Sequence, residues 1–242
     1  MMIALSLYLQ MVFEYNALEA GLSIAPLSLG MFVVALLAGK RAGKRRPSVV
    51  IRLGFALLSV GTLILIPLIP RVDAGWQIAL PLLLAGSGLG LLVSQLNNFT
   101  LSPISAERVS EAAGVNSAAG SFGLSFGLAF AGAVMLAMLS LVGNQLTQSS
   151  SVLTGNQKQQ VAQALEHDAE IMSDSQLTEQ LNGQPAAVRQ EIVRINDEAR
   201  HIALQTALLV PLLAGIIGLG ASFKMVRLPD PAPATHAEAA LI

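Results

Sequence analysis

The sequence has no cysteine. That excludes disulfide scaffolds, iron–sulfur sites and thiol nucleophiles, and says nothing of the compartment. Charge is scarce too. Asp, Glu, Lys and Arg make up 12% of the 242 residues, against about 25% in a soluble domain. With 53% hydrophobic residues, the chain cannot cover a globular surface with polar groups. Disorder, collagen and coiled coil fail on the same composition. The formal net charge of −1 gives nucleic acid no basic surface to bind. Catalytic signatures are missing as well. The three histidines, His167, His201 and His236, lie outside the cores of the apolar runs and form no cluster with carboxylates, so neither a metal centre nor a histidine base is expected. Gly86-Ser87-Gly88 has the outline of an intramembrane serine protease motif, but Ala85 stands where that motif has glycine. No nucleotide-binding loop exists. The expectation is a protein that is not an enzyme and needs no cofactor.

What is present is a series of long apolar runs, and the expected fold class is an all-α polytopic membrane helix bundle. A helix crosses the hydrocarbon core with about 20 apolar residues and satisfies its backbone internally. Runs at 20–39, 53–70, 76–97, 113–141 and 202–224 qualify. Residues 1–13 are as apolar but too short, and lack the basic start of a secretory signal. They read as the end of a span that begins before Met1, with a short surface-lying helix as the alternative. No span carries an acid or base in its centre, where a proton or ion relay would place one. Glu14 and Glu19, near one end, read as solvated loop acids.

Short-loop charges set the topology. Lys40, Arg41, Lys44, Arg45, Arg46 and Arg52 come with no acid among them, which marks a cytoplasmic loop. The turns at 14–19 and 71–75 then fall outside, and the C-terminus inside. The location expected is a bacterial inner membrane, multi-pass. The segment 142–201 falls outside. It holds eight acidic and four basic residues and amphipathic helical stretches, with Val161, Ala164 and Leu165 at helical spacing. Asp174 or Ser175 suits the cap of a short helix, Asn182-Gly183 a turn, and Pro185 the first turn of a helix leading into the last span. Residues 225–242 read as a Pro/Ala-rich disordered cytoplasmic tail.

Within the lipid, small residues let helices approach and uncharged polar residues face the bundle interior. Gly123 and Gly127 form a GxxxG pair suited to helix packing, and Gly86, Gly88 and Gly90 add another small-residue stretch. The candidates for a substrate cavity are Tyr8, Gln10, Ser94, Gln95, Asn98, Asn116 and Ser121. Interhelical hydrogen bonding is the plainer role for any one of them. Pro26, Pro81 and Pro211 suit kinks.

Several of these stretches together resemble the C-terminal portion of a major facilitator superfamily transporter, in particular the fourteen-span drug:proton antiporter-2 branch. They are Leu7-Tyr8-Leu9-Gln10, Ala17 to Leu22, Pro26 with Gly30, the basic loop from Gly39 through Lys40, Arg41, Lys44, Arg45 and Arg46, Gly88 to Asn98, and Glu111 to Ala129. The sequence departs from the family pattern in having no acid in the basic loop and Gly120 where an arginine is common. The resemblance implies one six-helix lobe, its first helix truncated, with an extracytoplasmic helical insert. It implies alternating access with substrate and protons as partners, alongside the bilayer and the missing N-terminal half of the same transporter. The basic loop becomes a cytoplasmic gate, although anionic lipid headgroups are its simpler physical partner. The expected function is proton-coupled export of drugs or other small amphipathic compounds. The alternatives are export of a metabolite or peptide and, in another class, a non-transporting membrane scaffold acting through 142–201.

Overall fold

The computed structural model describes residues 2–40, 46–167 and 174–225. Eight α-helices and three short 3-10 turns make up the regular structure, and no strand occurs among the described residues. The helices are α1 (Met2–Val12), α2 (Ala17–Lys40), α3 (Pro47–Leu68), α4 (Ala79–Leu101), α5 (Val109–Ser149), α6 (Gly155–His167), α7 (Asp174–Gln180) and α8 (Ala186–Met225). Five of them, α2, α3, α4, α5 and α8, are long and apolar enough to cross a membrane. The exposed large side chains on them are apolar, Phe32, Leu63, Phe122, Leu124 and Ile217 among them. An apolar exterior of this extent fits hydrocarbon and not water. The chain is an all-helical membrane bundle.

α5 and α8 are longer than a span requires. With 41 and 40 residues, each extends about 60 Å at 1.5 Å per residue, twice the thickness of the hydrocarbon core. The polar segment between the last two long apolar runs is thus in part helix continuous with its neighbours: α5 runs on to Ser149, and α8 begins at Ala186, well before its apolar part. Pro185 directly precedes α8, and Gly183 takes φ 103° in the turn before it, a conformation open to glycine without strain.

The chain divides into two compact units. The first comprises Met1–Ile24, Ile66–Ile78 and Gly127–Val210. α1 packs one face into the unit: Leu5, Tyr8 and Leu9, spaced i, i+3, i+4, are buried. Gln205 of α8 donates to the Ile66 carbonyl at 2.8 Å. Leu139, Val142, Ala199 and Ala203 join α5 to α8 through one apolar cluster. Leu153, Val188, Ile192 and Ile195 form a second, onto which Val161 of α6 and Leu177 of α7 pack. The polar insert therefore has a small core of its own.

The turn between α1 and α2 explains both of its acids. Asn16 caps α2, its Oδ1 accepting from the amides of Leu18 and Glu19, while Glu19 Oε2 accepts from the Asn16 amide at 2.9 Å. That is a reciprocal capping box. Glu14, at φ 53°, accepts from the Ser175 amide at 2.6 Å and so ties this turn to α7.

The second unit comprises Ala25–Leu65, Ala79–Phe126 and the chain from Pro211 onward. Its helices meet through glycine. A Cβ at Gly54 would stand 2.9 Å from the Gly88 carbonyl, and one at Gly61 2.6 Å from the Ala85 amide. A Cβ at Gly86 would overlap the Leu27 carbonyl, and one at Gly90 the Met31 carbonyl. α4 is thus in backbone contact with α2 on one side and α3 on another, the approach that small residues permit. α8 meets α3 through side chains, with Gly215 against Ser59 and Gly218 against the Phe55 ring.

Candidate functional site

The seven cavity candidates fall into both units. Tyr8 and Gln10 belong to the first. Tyr8 is 3% exposed, and its ring stands edge-on to His201, with centroids 5.6 Å apart, and to Phe13, at 5.8 Å. Its surface is spent on packing within the unit. Gln10 turns back on its own helix, donating to the Ser6 carbonyl at 3.2 Å and to Ser6 Oγ at 3.1 Å. Both side chains are held by neighbours.

The other five belong to the second unit. Ser94 is half-buried and donates to the Leu91 carbonyl at 2.9 Å, so its hydroxyl is committed to the helix. Gln95 is buried at 6% exposure. Asn98 and Ser121 are exposed. Asn116 is half-buried, and its amide donates to Asn97 Oδ1 at 2.7 Å. Asn97 stands in the same polar stretch as Ser94, Gln95 and Asn98, but only the structure singles it out as the partner. His201 and Gln205 are likewise partners visible only once the helices are placed.

Asn116 also lines an open cleft of about 650 Å³ formed by the end of α4, its connection to α5 and the first turns of α5. Leu101, Ile104, Val115 and Ala119 supply apolar wall, and Asn116 a polar one. Arg108 and Glu111 line it as well and pair across 3.6 Å. Both are largely exposed, so this pair contributes little to stability. A mostly apolar cleft with a few oriented polar groups is the common form of a small-molecule site.

The basic stretch is only partly described. Gly39 and Lys40 end α2, and Arg46 precedes α3; Arg41, Lys44 and Arg45 lie outside the described residues. Gly123 and Gly127 sit on a portion of α5 whose surroundings are open, where a Cβ at either would meet nothing within 4 Å. Backbone contact in the second unit is made by the glycines of α2, α3 and α4 instead.

Among the described residues of the insert, Ser150, Glu191, Arg194 and Glu198 form a charged cluster. Ser150 Oγ donates to Glu191 Oε1 at 2.7 Å. Arg194 donates to both Glu191 oxygens at 3.0 Å and to Glu198 at 2.7 Å. The Arg194 hydrogen bonds, followed by that from Ser150, hold the Glu191 carboxyl below the usual carboxylate range. This cluster lies in the charged half of α8, ahead of the apolar part.

Comparison with known proteins decides the family. The sequence profile of the Major Facilitator Superfamily matches residues 1–128, more than half of the chain. The chain belongs to the Major Facilitator Superfamily. That is a family of transporters and not of enzymes, and it is polytopic in the membrane. Multidrug resistance protein Stp of Mycobacterium tuberculosis is 32% identical over 140 residues, which are 58% of this chain and 26% of that protein. The probable actinorhodin transporter of Streptomyces coelicolor is 27% identical over 152 residues, 62% of this chain and 26% of the relative. The uncharacterized transporter YebQ of Escherichia coli is 31% identical over 149 residues, 62% and 32% of the two. The match thus spans between a quarter and a third of the length of these relatives. No solved structure gives a significant match.

Proposed function

We propose that this major facilitator chain forms the C-terminal lobe of a proton-coupled exporter of drugs or other small amphipathic compounds. The observation that carries the reading is the profile match over residues 1–128, joined to relatives named for multidrug resistance and actinorhodin transport. The physical character of the bundle agrees. Its span centres carry no fixed charge, and its cleft is mostly apolar with an amide at one wall. Such a surface accepts amphipathic molecules of varied shape and gives little discrimination among them.

In this reading the bundle supplies one wall of a midplane site, and rocking against an N-terminal lobe exposes that site to each side in turn. Tight glycine contacts among α2, α3 and α4 suit a lobe that moves as a body. No carboxylate in these spans serves as the proton carrier, so that group belongs to the other lobe. The short-loop charges put the C-terminus in the cytoplasm and the insert outside. Gly39 through Arg46 forms a cytoplasmic gate loop, and Ser94, Gln95, Asn98, Asn116 and Ser121 are the cavity-wall candidates of the second unit.

The test is accumulation of a fluorescent amphipathic cation in cells with and without the coding region. Higher accumulation on deletion, reversed by complementation and abolished by a protonophore, supports proton-coupled export. Unchanged accumulation of dyes together with internal retention of a coloured secondary metabolite would favour metabolite export, the second reading that the actinorhodin relative suggests. Unchanged handling of both classes would refute export.

A further inference from the structure

One long stretch of the sequence carries cations and no acids. From Ala20 to Val72 the sequence has no Asp or Glu. Within that stretch Arg52 lies more than one turn inside α3, near a helix start with no acidic residue in its first turn. The side chain is half-buried, and its Nε is buried with no hydrogen-bond partner among the described residues. The guanidinium is fixed by Phe223 at the end of α8, whose ring centroid lies 4.2 Å from Cζ. A ring under the guanidinium face occupies the π surface and leaves the in-plane N–H donors uncommitted. Lys224 follows Phe223 directly and is exposed.

A half-buried guanidinium with donors to spare and a neighbouring ammonium calls for an anion with several oxygens. Planar bidentate donation fits phosphate closely. The surroundings identify its source. Val49 and Leu53, which flank Arg52 on α3, and Phe223 itself are large apolar side chains left exposed. Such a surface lies in hydrocarbon, so the anion reaching Arg52 carries acyl chains with it. We propose that Arg52, Phe223 and Lys224 form a binding niche for the phosphodiester headgroup of an anionic membrane phospholipid. Arg52 takes the phosphate oxygens, Phe223 holds the guanidinium in plane, and Lys224 adds the second charge. The niche is built on α3 and α8 and is independent of the substrate exported.

Native mass spectrometry tests it, using the purified 242-residue chain released from detergent with equal amounts of phosphatidylglycerol and phosphatidylcholine. The expected result is retention of phosphatidylglycerol over phosphatidylcholine by at least about fivefold, roughly the factor one near-surface cation contributes. Arg52→Gln combined with Lys224→Gln brings the ratio close to one. Lys224→Gln alone, a change at an exposed helix end that does not threaten folding, lowers it partway. Lys158→Gln, in the polar insert, leaves it unaltered. Equal retention of the two lipids by the unaltered chain would overturn the proposal, as would a preference that survives both variants. Displacement of phosphatidylglycerol by excess inorganic phosphate would overturn the assignment to lipid and make the niche a free-phosphate site.

Discussion

Asn116 of α5, which lines the cleft, donates its amide to Asn97 of α4 at 2.7 Å, nineteen positions back along the chain. Hydrogen bonds between membrane helices are worth about 0.6 kcal/mol on average and up to about 1.7. Replacing Asn116 by Ala, Asn97 by Ala, and both together forms a double-mutant cycle. The coupling energy expected from denaturant unfolding in micelles falls in that range. Strictly additive losses would show that the pair contributes nothing beyond its separate contacts.

The glycines divide into two classes with opposite expectations. A Cβ at Gly86 overlaps the Leu27 carbonyl, and one at Gly88 meets the Leu58 amide at 2.5 Å. Backbone atoms cannot swing aside as a side chain can, so Gly86→Ala and Gly88→Ala must push helices apart. Overpacking of this kind costs about 1–3 kcal/mol. Gly123→Ala and Gly127→Ala meet nothing within 4 Å and leave the unfolding midpoint of the purified chain unchanged. Thermal unfolding in detergent separates the classes. A midpoint that falls equally for all four would refute the distinction.

That contrast shows what sequence pattern conveys here and what it does not. The apolar runs are legible because hydrocarbon imposes one requirement on every residue of a span, and five such runs coincide with five long helices. The residues that sit where helices touch are not legible in the same way. GxxxG at 123–127 and Gly-x-Gly-x-Gly at 86–90 look equally suited to packing, but only the second has neighbours in the described structure. Nothing local to either stretch tells which helix it will face. Glu19 reads as a loop acid, but Asn16 three residues before it has the spacing of a capping box, so this contact is legible in the sequence. Tyr8 and Asn116 looked alike as polar residues in lipid. The fold packs one against His201 and gives the other a partner and a cleft to line, because their fates depend on contacts from distant parts of the chain.

The polar insert is expected to fold around its own apolar cluster. Ile195 is fully buried between α8 and the helices that pack onto it. Removing its side chain leaves a cavity, and Ile→Ala changes in cores cost about 2–5 kcal/mol. Small domains have little stability to spare. Ile195→Ala should therefore render the 150–185 segment rapidly cleavable by protease in proteoliposomes while the apolar helices remain protected. Cleavage at the rate of the unaltered protein would show that the segment owes its order to something other than this core.

Ser150 and Glu191 connect the end of α5 to α8 at 2.7 Å, and the charge state of Glu191 governs that link. Its carboxyl is held below the ordinary carboxylate range, first by the Arg194 hydrogen bonds and then by Ser150. A depressed pKa in the folded state gives stability that is present above the unfolded value, about 4.3 for glutamate, and lost as pH falls through the lowered folded value. Mild acidification, from neutrality to about pH 5, should thus leave the contact intact, and only stronger acid should release it. The absence of native cysteine makes the measurement clean, since Val152→Cys, at an exposed neighbour of Ser150, provides a single site for a spin label. The label should keep its restricted motion down to the ordinary carboxylate range and gain mobility only below it. In the Glu191→Ala background, where Ser150 has lost its acceptor, it should be mobile at every pH. Loosening of the unaltered protein between pH 7 and pH 5 would mean that a group titrating near neutrality, and not Glu191, controls this end of the insert.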